Sequence, residues 1–202
     1  MNRLLILQEP GISPARTIAA AAGILPGWKI QGGNEPDGHR ALITVRRSVD
    51  REMMKKLTGG IVSVAFTGYD HIDTHSASEF SVAVSNVPGY STRSVSELAF
   101  ALTVKSLRDP RREHGIELCG KTVGIIGTGS IGNRTAELFK TAGCRVVGWS
   151  RSRSSAFPGE YLELDEVLRG SDIISLHLPL TGETAFFLNE DRLSALKREQ
   201  FS

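Results

Sequence analysis

Gly127, Gly129 and Gly132 stand at the spacing G-x-G-x-x-G, and glycines at this spacing suit one kind of chemistry. The first can make a tight turn, the second lets a pyrophosphate approach the backbone, and the third lets a helix touch the preceding strand. An anion then lies at the N-terminus of that helix, where backbone N–H groups point towards it. The three glycines therefore predict a dinucleotide-binding turn.

The residues on either side predict the elements that must position this turn. An apolar, β-branched run at residues 122–126 predicts a buried parallel strand, and a second such run lies at residues 145–149. Between them, side chains at helical spacing predict a helix that Gly143 would cap: Ile131, Thr135, Leu138, Phe139 and Ala142. This βαβ context favours dinucleotide binding over mere tight packing.

The first ninety residues alternate between predicted strands and helices, which is typical of a parallel α/β sheet. Strands are predicted at residues 4–7, 28–30, 41–45, 61–66 and 82–84, and helices at residues 13–25, 50–57 and 73–80. A boundary between this first region and the region that carries the glycine turn is predicted at residues 86–89. A long helix follows at residues 94–107, with an apolar face of Val95, Leu98, Ala99 and Leu102.

The region after the glycine turn predicts a short helix at residues 164–168, a third strand at residues 172–178 and a helix at residues 190–197. Residues 201–202 resemble the start of a further strand. A doubly wound nucleotide domain has six strands in two halves, so only the first half is expected here. Either the gene product continues, or the missing strands are replaced.

Composition excludes several classes of function. The chain has 202 residues, 40% of them hydrophobic, and a formal net charge of +2, which is too small to indicate nucleic-acid or membrane binding. Cys119 and Cys144 lack metal-ligand spacing, so we expect them to be buried or half-buried and assign no metal site. No apolar run is long enough to span a bilayer, which favours a reducing, cytoplasmic setting.

Several further motifs follow one another along the chain and cover most of it from about Ala41 onward. They are T-G-Y-D-H-I-D at 67–73, N-V-P-G-Y-S-T at 86–92, S-V-S-E-L at 94–98, G-I-E-L-C-G-K-T at 115–122, and the segment 171–181 that ends in H-L-P-L-T. Together with the glycine turn, they make the sequence resemble the D-isomer-specific 2-hydroxyacid dehydrogenases.

The resemblance implies a flavodoxin-like substrate domain at residues 1–91, lacking its C-terminal return, and a Rossmann NAD(P)-binding domain at residues 92–202, of which only the first half is present. The active site would lie between them. The implied reaction is hydride transfer between a nicotinamide cofactor and a small D-2-hydroxy acid or 2-oxo acid, of the glyoxylate, hydroxypyruvate or phosphoglycerate type.

The resemblance also implies site residues. Backbone N–H groups of Thr67 and Gly68 would hold the substrate carboxylate, and Arg46 would contact a polar substituent, unless Arg46 is only a solvated surface charge and Gly68 only makes a turn. The implied nucleotide-binding residues are Val95, Gly127, Gly129, Ser130, Ile131, Gly132, Ser150, Arg151, Arg153, His177, Pro179 and Thr184.

The residues after the second predicted strand bear on the choice of cofactor. NAD-selective members of such folds place a carboxylate there for the ribose 2′-OH, but this chain has Arg151 and Arg153 and no Asp or Glu between Glu137 and Glu160. Arginine can bind a 2′-phosphate through charge-assisted hydrogen bonds. NADP is therefore predicted to be preferred over NAD, the alternative being two solvated arginines and a pocket that tolerates NAD.

No catalytic residue is assigned. In the resembling family the arginine, glutamate and histidine that perform the reaction lie downstream of residue 202, and His177 is expected to be an ordinary hydrogen-bonded histidine. An alternative function is therefore a truncated, non-catalytic dinucleotide-binding regulator or scaffold. The short charged segment at residues 109–114 replaces a longer one that often contributes to the dimer contact, so a homodimer stays open.

Overall fold

The computed structural model describes residues 2–9, 13–109, 111 and 114–197. The chain divides into two compact units, Met1–Tyr90 and Ser91–Ser202. The division predicted from the sequence lies one residue later, after residue 91.

The first unit contains one five-stranded parallel sheet in the order β2-β1-β3-β4-β5, which is the flavodoxin-like order 2-1-3-4-5. The strands are β1 Arg3–Leu7, β2 Lys29–Gly33, β3 Ala41–Thr44, β4 Ile61–Val64 and β5 Ala83–Ser85. The helices are α1 Pro14–Ile24, α2 Arg51–Lys56 and α3 Thr74–Glu79. The predicted parallel α/β sheet is thus confirmed, and fully buried residues such as Leu5, Leu42 and Val62 fill its core.

The second unit contains a four-stranded parallel sheet in the order β8-β7-β6-β9. Its strands are β6 Thr122–Ile126, β7 Arg145–Trp149, β8 Glu160–Tyr161 and β9 Ile173–Leu176, and its helices are α4 Thr92–Leu107, α5 Ser130–Thr141, α6 Leu164–Gly170 and α7 Glu190–Ser194. Counted from β6, this order is 3-2-1-4, which begins the Rossmann arrangement.

Strand β8 was not predicted from the sequence, because two residues are too short to show an alternating pattern. The strand predicted at residues 172–178 is therefore the fourth strand of this sheet in chain order, not the third. This strand, β9, pairs with the edge of β6 opposite the edge that pairs with β7. The residues expected to begin a further strand, 201–202, lie outside the described residues.

The predicted apolar face of α4 is an exposed face in the structure. Val95, Leu98 and Leu102 are 38%, 57% and 55% exposed, whereas Ser96 is fully buried. Small side chains allow close helix packing, and on the same side of α4 the ring of Phe100 lies 5.2 Å from that of Phe139 on α5. The periodicity is helical as predicted, but the face of α4 that packs against the rest of the unit is the one with Ser96 and Phe100, not the predicted apolar face.

Two further features concern the cysteines and the membrane. Cys144 is buried as expected, but Cys119 is exposed, because it lies in the turn that precedes β6 and not in the strand itself. In the part of the chain that the structure describes, no helix has the length and apolar character needed to cross a membrane.

Candidate functional site

The second unit has a cavity of about 350 Å³ at the carboxyl ends of its strands. Its walls come from residues 127–129 after β6, residues 149–152 at the end of β7, residues 177–179 after β9, and from Glu183, Thr184 and Phe187. Since β6 and β9 are neighbours in the order 3-2-1-4, the cavity lies where the strand order reverses. Ligands of open α/β sheets bind at this position.

Each glycine of the turn meets a different steric requirement. A Cβ on Gly127, whose φ is +93°, would lie 2.5 Å from the His177 carbonyl oxygen, and a Cβ on Gly132 would lie 2.0 Å from the Gly127 carbonyl oxygen. Those two glycines are needed for the fold of the turn itself. A Cβ on Gly129 would meet nothing within 4 Å, so the space in front of this residue is free for a ligand.

The backbone at the start of α5 is suited to an anion. Gly129 is the N-cap, and the first hydrogen bond into the helix runs from the Asn133 N–H to the Gly129 carbonyl at 2.9 Å. Among the described residues, the N–H groups of Gly129, Ser130 and Ile131 have no acceptor. These groups and the open space at Gly129 fit a dinucleotide pyrophosphate.

The two arginines predicted to bind the cofactor lie in different places. Arg151 lines the cavity and forms an ion pair with Glu183. Arg153 does not line it: its guanidinium lies 5.5 Å from the centre of the Tyr161 ring and 3.3 Å from a Glu163 oxygen. Sequence reasoning missed Glu183, because it reaches the cavity from the segment after β9 and no local pattern marks it.

His177 lies on the cavity wall, one residue beyond β9. Its Nε2 is 2.8 Å from the Ser175 hydroxyl oxygen, and burial lowers the pKa of its imidazole below the ordinary value. It is thus a neutral, hydrogen-bonded histidine at pH 7. Thr184 holds the segment that follows β9 in place, because its hydroxyl donates a hydrogen bond to the Pro179 carbonyl.

The remaining predicted nucleotide residues flank the cavity or lie apart from it. Ser150 is on the wall, while Ser130, Ile131 and Gly132 form the first turn of α5 behind the glycine turn. Val95 is on the exposed face of α4 and does not line the cavity. Among the described residues, no group of three or more His, Cys, Asp or Glu side chains could hold a metal ion.

The predicted carboxylate-binding residues follow β4 in the first unit. The Asn86 side-chain amide donates to the Thr67 carbonyl at 2.8 Å, and the Thr67 hydroxyl donates to the Val87 carbonyl at 3.1 Å. The backbone N–H groups of Thr67 and Gly68 have no acceptor among the described residues. The segment is therefore held by its carbonyl and side chain while two adjacent donors stay available.

Arg46 is exposed, but a ring contact and backbone hydrogen bonds hold the segment that carries it. Its guanidinium lies 5.3 Å from the centre of the Phe66 ring, and its backbone N–H donates to the Glu9 carboxylate at 2.7 Å. The same carboxylate accepts from the Val45 N–H at 2.7 Å and the Thr44 hydroxyl at 2.9 Å. Burial raises the pKa of Glu9, but these hydrogen bonds outweigh it and the pKa is lowered overall. Sequence reasoning did not identify Glu9.

The profile described as "D-isomer specific 2-hydroxyacid dehydrogenase, NAD binding domain" matches residues 89–201, more than half of the chain. The chain belongs to the D-isomer-specific 2-hydroxyacid dehydrogenase family. Among curated relatives of this family member, a glyoxylate reductase of Aeropyrum pernix is 36% identical over 163 residues, covering 68% of the chain and 49% of that protein. A hydroxypyruvate reductase of Thermotoga maritima is 35% identical over 152 residues, covering 68% of the chain and 50% of that protein.

A solved structure extends the comparison over nearly the whole chain. The D-lactate dehydrogenase of Aquifex aeolicus, complexed with NAD and lactic acid, is 26% identical with a TM-score of 0.81, covering 96% of this chain and 66% of that one. The chain of this 2-hydroxyacid dehydrogenase family member spans about half the length of the curated relatives it matches.

Proposed function

We propose that this 2-hydroxyacid dehydrogenase family member transfers a hydride between a nicotinamide dinucleotide and a small 2-oxo or 2-hydroxy acid, of the glyoxylate or hydroxypyruvate type. One observation carries the proposal: the free space in front of Gly129 adjoins three backbone N–H groups without acceptors. The names of the glyoxylate and hydroxypyruvate reductases among its relatives support the choice of substrate class.

The chain's own residues would perform the binding steps. The N–H groups of Gly129, Ser130 and Ile131 hold the pyrophosphate, and the wall formed by Ser150 and Arg151 receives the ribose end of the dinucleotide. When bound, the nicotinamide supplies or accepts the hydride. His177 lines the cavity in its neutral form and adds no charge near the cofactor.

NADP is the cofactor we propose as preferred. Arg151 on the cavity wall is a suitable partner for a 2′-phosphate once it leaves Glu183, and the residues that follow β7 bring no carboxylate of their own. Dissociation constants of NADP⁺ and NAD⁺ test this: tighter NADP⁺ binding that Arg151→Gln abolishes supports it, and tighter NAD⁺ binding refutes it.

The substrate carboxylate is proposed to bind the paired N–H groups of Thr67 and Gly68, with Arg46 contacting a polar substituent. Glu9 fixes the backbone at Arg46, so the guanidinium is presented from a held segment. Replacing Arg46 with Gln should raise the KM for hydroxypyruvate more than that for glyoxylate, since glyoxylate lacks the substituent. Equal changes for both acids would contradict this role.

A homodimer is also proposed, with the exposed face of α4 as its contact. Leu98 and Leu102 are both more than half exposed on one side of this helix, and such apolar surface is usually covered by a partner. Light scattering should give a dimer mass for the wild type and a monomer mass for Leu98→Glu/Leu102→Glu. A monomeric wild type would exclude the dimer.

The deciding experiment combines binding and turnover. Nucleotide binding is followed by quenching of tryptophan fluorescence, because Trp149 lines the cavity, and turnover by the decrease in NADPH absorbance with glyoxylate or hydroxypyruvate. Binding with turnover supports the proposed reaction. Binding without turnover favours the alternative of a non-catalytic dinucleotide-binding regulator or scaffold, and the absence of binding overturns both.

A further inference from the structure

Tyr161 contacts both segments that form the ribose and pyrophosphate parts of the nucleotide cavity, although it is not itself on the wall. It lies on β8, where it pairs with Gly148 of β7. Its ring centre is 4.8 Å from that of Phe157, and the Arg153 guanidinium lies 5.5 Å from its ring centre. The ring is therefore fixed by packing, and its hydroxyl has a defined position.

The hydroxyl of Tyr161 has three hydrogen-bonding neighbours. It accepts from the Ser154 N–H at 2.8 Å, lies 2.8 Å from the Thr128 hydroxyl oxygen, and lies 3.4 Å from the Ser154 carbonyl. A phenol donates only one proton. That proton goes either to Thr128 or, with Thr128 donating to the phenol, to the Ser154 carbonyl, and in both cases the hydroxyl bridges Ser154 and Thr128.

This bridge joins two different parts of the site. Thr128 belongs to the glycine turn, lines the cavity and is only 5% exposed. Ser154 directly follows the segment that carries Arg151 and Arg153. Among the described residues, no other side-chain hydrogen bond joins residues 127–129 to residues 150–156. The backbone hydrogen bond from the Gly127 N–H to the Trp149 carbonyl, at 2.8 Å, fixes the start of the arginine segment, and the Tyr161 hydroxyl ties its far end to the phosphate-binding turn.

We infer that Tyr161 is a positioning residue for the nucleotide, holding the glycine turn and the arginine segment in the geometry that binds it. The inference rests on the proposed dinucleotide function and extends it to a residue outside the cavity. Tyr161→Phe removes the bridge but keeps the ring that packs on Phe157 and supports Arg153, so the change isolates the hydroxyl.

The test measures dissociation constants of NADP⁺ and NAD⁺ for the wild type, Tyr161→Phe, Thr128→Val and the double variant. Loss of a partly buried hydrogen-bonded bridge should weaken binding of the preferred nucleotide about 3- to 10-fold in each single variant. In the double variant the loss should be about that of Tyr161→Phe alone, because that change already removes the bond that Thr128→Val breaks. A general loss of stability would not produce this coupling.

Controls separate the alternatives. The hydroxyl of Tyr90, in the first unit, has no hydrogen-bond partner among the described residues, so Tyr90→Phe should leave affinity unchanged. If Tyr161→Phe does not fold, Thr128→Val breaks the same bond from the other side. Unchanged affinity in both single variants, or effects that simply multiply in the double variant, would overturn the inference. A wild type that binds neither nucleotide would instead overturn the proposed function.

Discussion

Replacing Gly129 with alanine should abolish tight nucleotide binding without unfolding the protein. The backbone at Gly129 has φ −73° and ψ −168°, which any residue adopts, and the added Cβ would meet no protein atom within 4 Å. An N-cap alanine is less favourable than glycine, but the stiffer unfolded chain offsets this, so stability should change by less than about 1 kcal/mol.

The added methyl group would occupy the space through which a pyrophosphate reaches the Gly129, Ser130 and Ile131 N–H groups. Losing one or two charge-assisted hydrogen bonds costs about 2–3 kcal/mol, which corresponds to a roughly 30- to 150-fold higher dissociation constant. Titration of Trp149 fluorescence with NADPH measures this loss, and circular dichroism at increasing temperature measures stability.

Two other glycines of the same unit provide the comparison. A Cβ on Gly132 would lie 2.0 Å from the Gly127 carbonyl oxygen, so Gly132→Ala should destabilise the fold by at least about 2 kcal/mol. Gly170, the last residue of α6, has open space like Gly129 but lies outside the cavity, so Gly170→Ala should leave NADPH affinity unchanged and raise stability by no more than about 1 kcal/mol. A Gly129→Ala variant that binds NADPH as the wild type does would refute the assignment of this turn to the pyrophosphate.

Three further predictions concern charge and backbone strain. Glu9→Gln should cost about 1–2 kcal/mol at pH 7; because the pKa of Glu9 is lowered in the folded protein, this difference should begin to shrink as pH falls below the ordinary value of 4.5 and disappear as pH falls through the lower pKa of the folded state, in urea titrations across that range. Glu183→Gln should tighten NADP⁺ binding about 3-fold and leave NAD⁺ unchanged, since a carboxylate near a 2′-phosphate repels it; weaker NADP⁺ binding by calorimetry would contradict this. Phe186 has φ +56° and is 91% exposed, so Phe186→Gly should raise the free energy of unfolding by about 0.5–1 kcal/mol, and a lower melting temperature would show that no strain was relieved.

The elements that sequence predicts well are those whose signals are local. The strand at residues 122–126, the glycine turn and the helix ending before Gly143 are found nearly as predicted, and Gly143 has the left-handed φ of +84° that favours glycine after a helix. Strand β8 is different, because it exists only through its pairing with β7 and its two residues have no pattern of their own.

The orientation of α4 shows a second limit. Helical periodicity correctly places Val95, Leu98 and Leu102 on one face, but periodicity does not say which neighbour that face meets. The helix packs instead through the face that carries Ser96, which is fully buried, and Phe100, whose ring lies 5.2 Å from that of Phe139 on α5. Periodicity can identify an apolar stripe on a helix, but only the tertiary structure shows whether that stripe packs within the same unit.

The charge at the proposed ribose end of the cavity comes from two segments, not one. The sequence argument for NADP considers only the residues that follow β7, where Arg151 occurs without a nearby carboxylate. In a sheet of order 3-2-1-4, the segment after β9 reaches the same cavity and brings Glu183, whose carboxylate pairs with Arg151. A 2′-phosphate must draw the guanidinium away from that carboxylate, whereas a 2′-hydroxyl need not. Under the proposed function, selectivity would depend on a competition for Arg151, so substitutions at Glu183 and Arg151 are informative only when both nucleotides are measured.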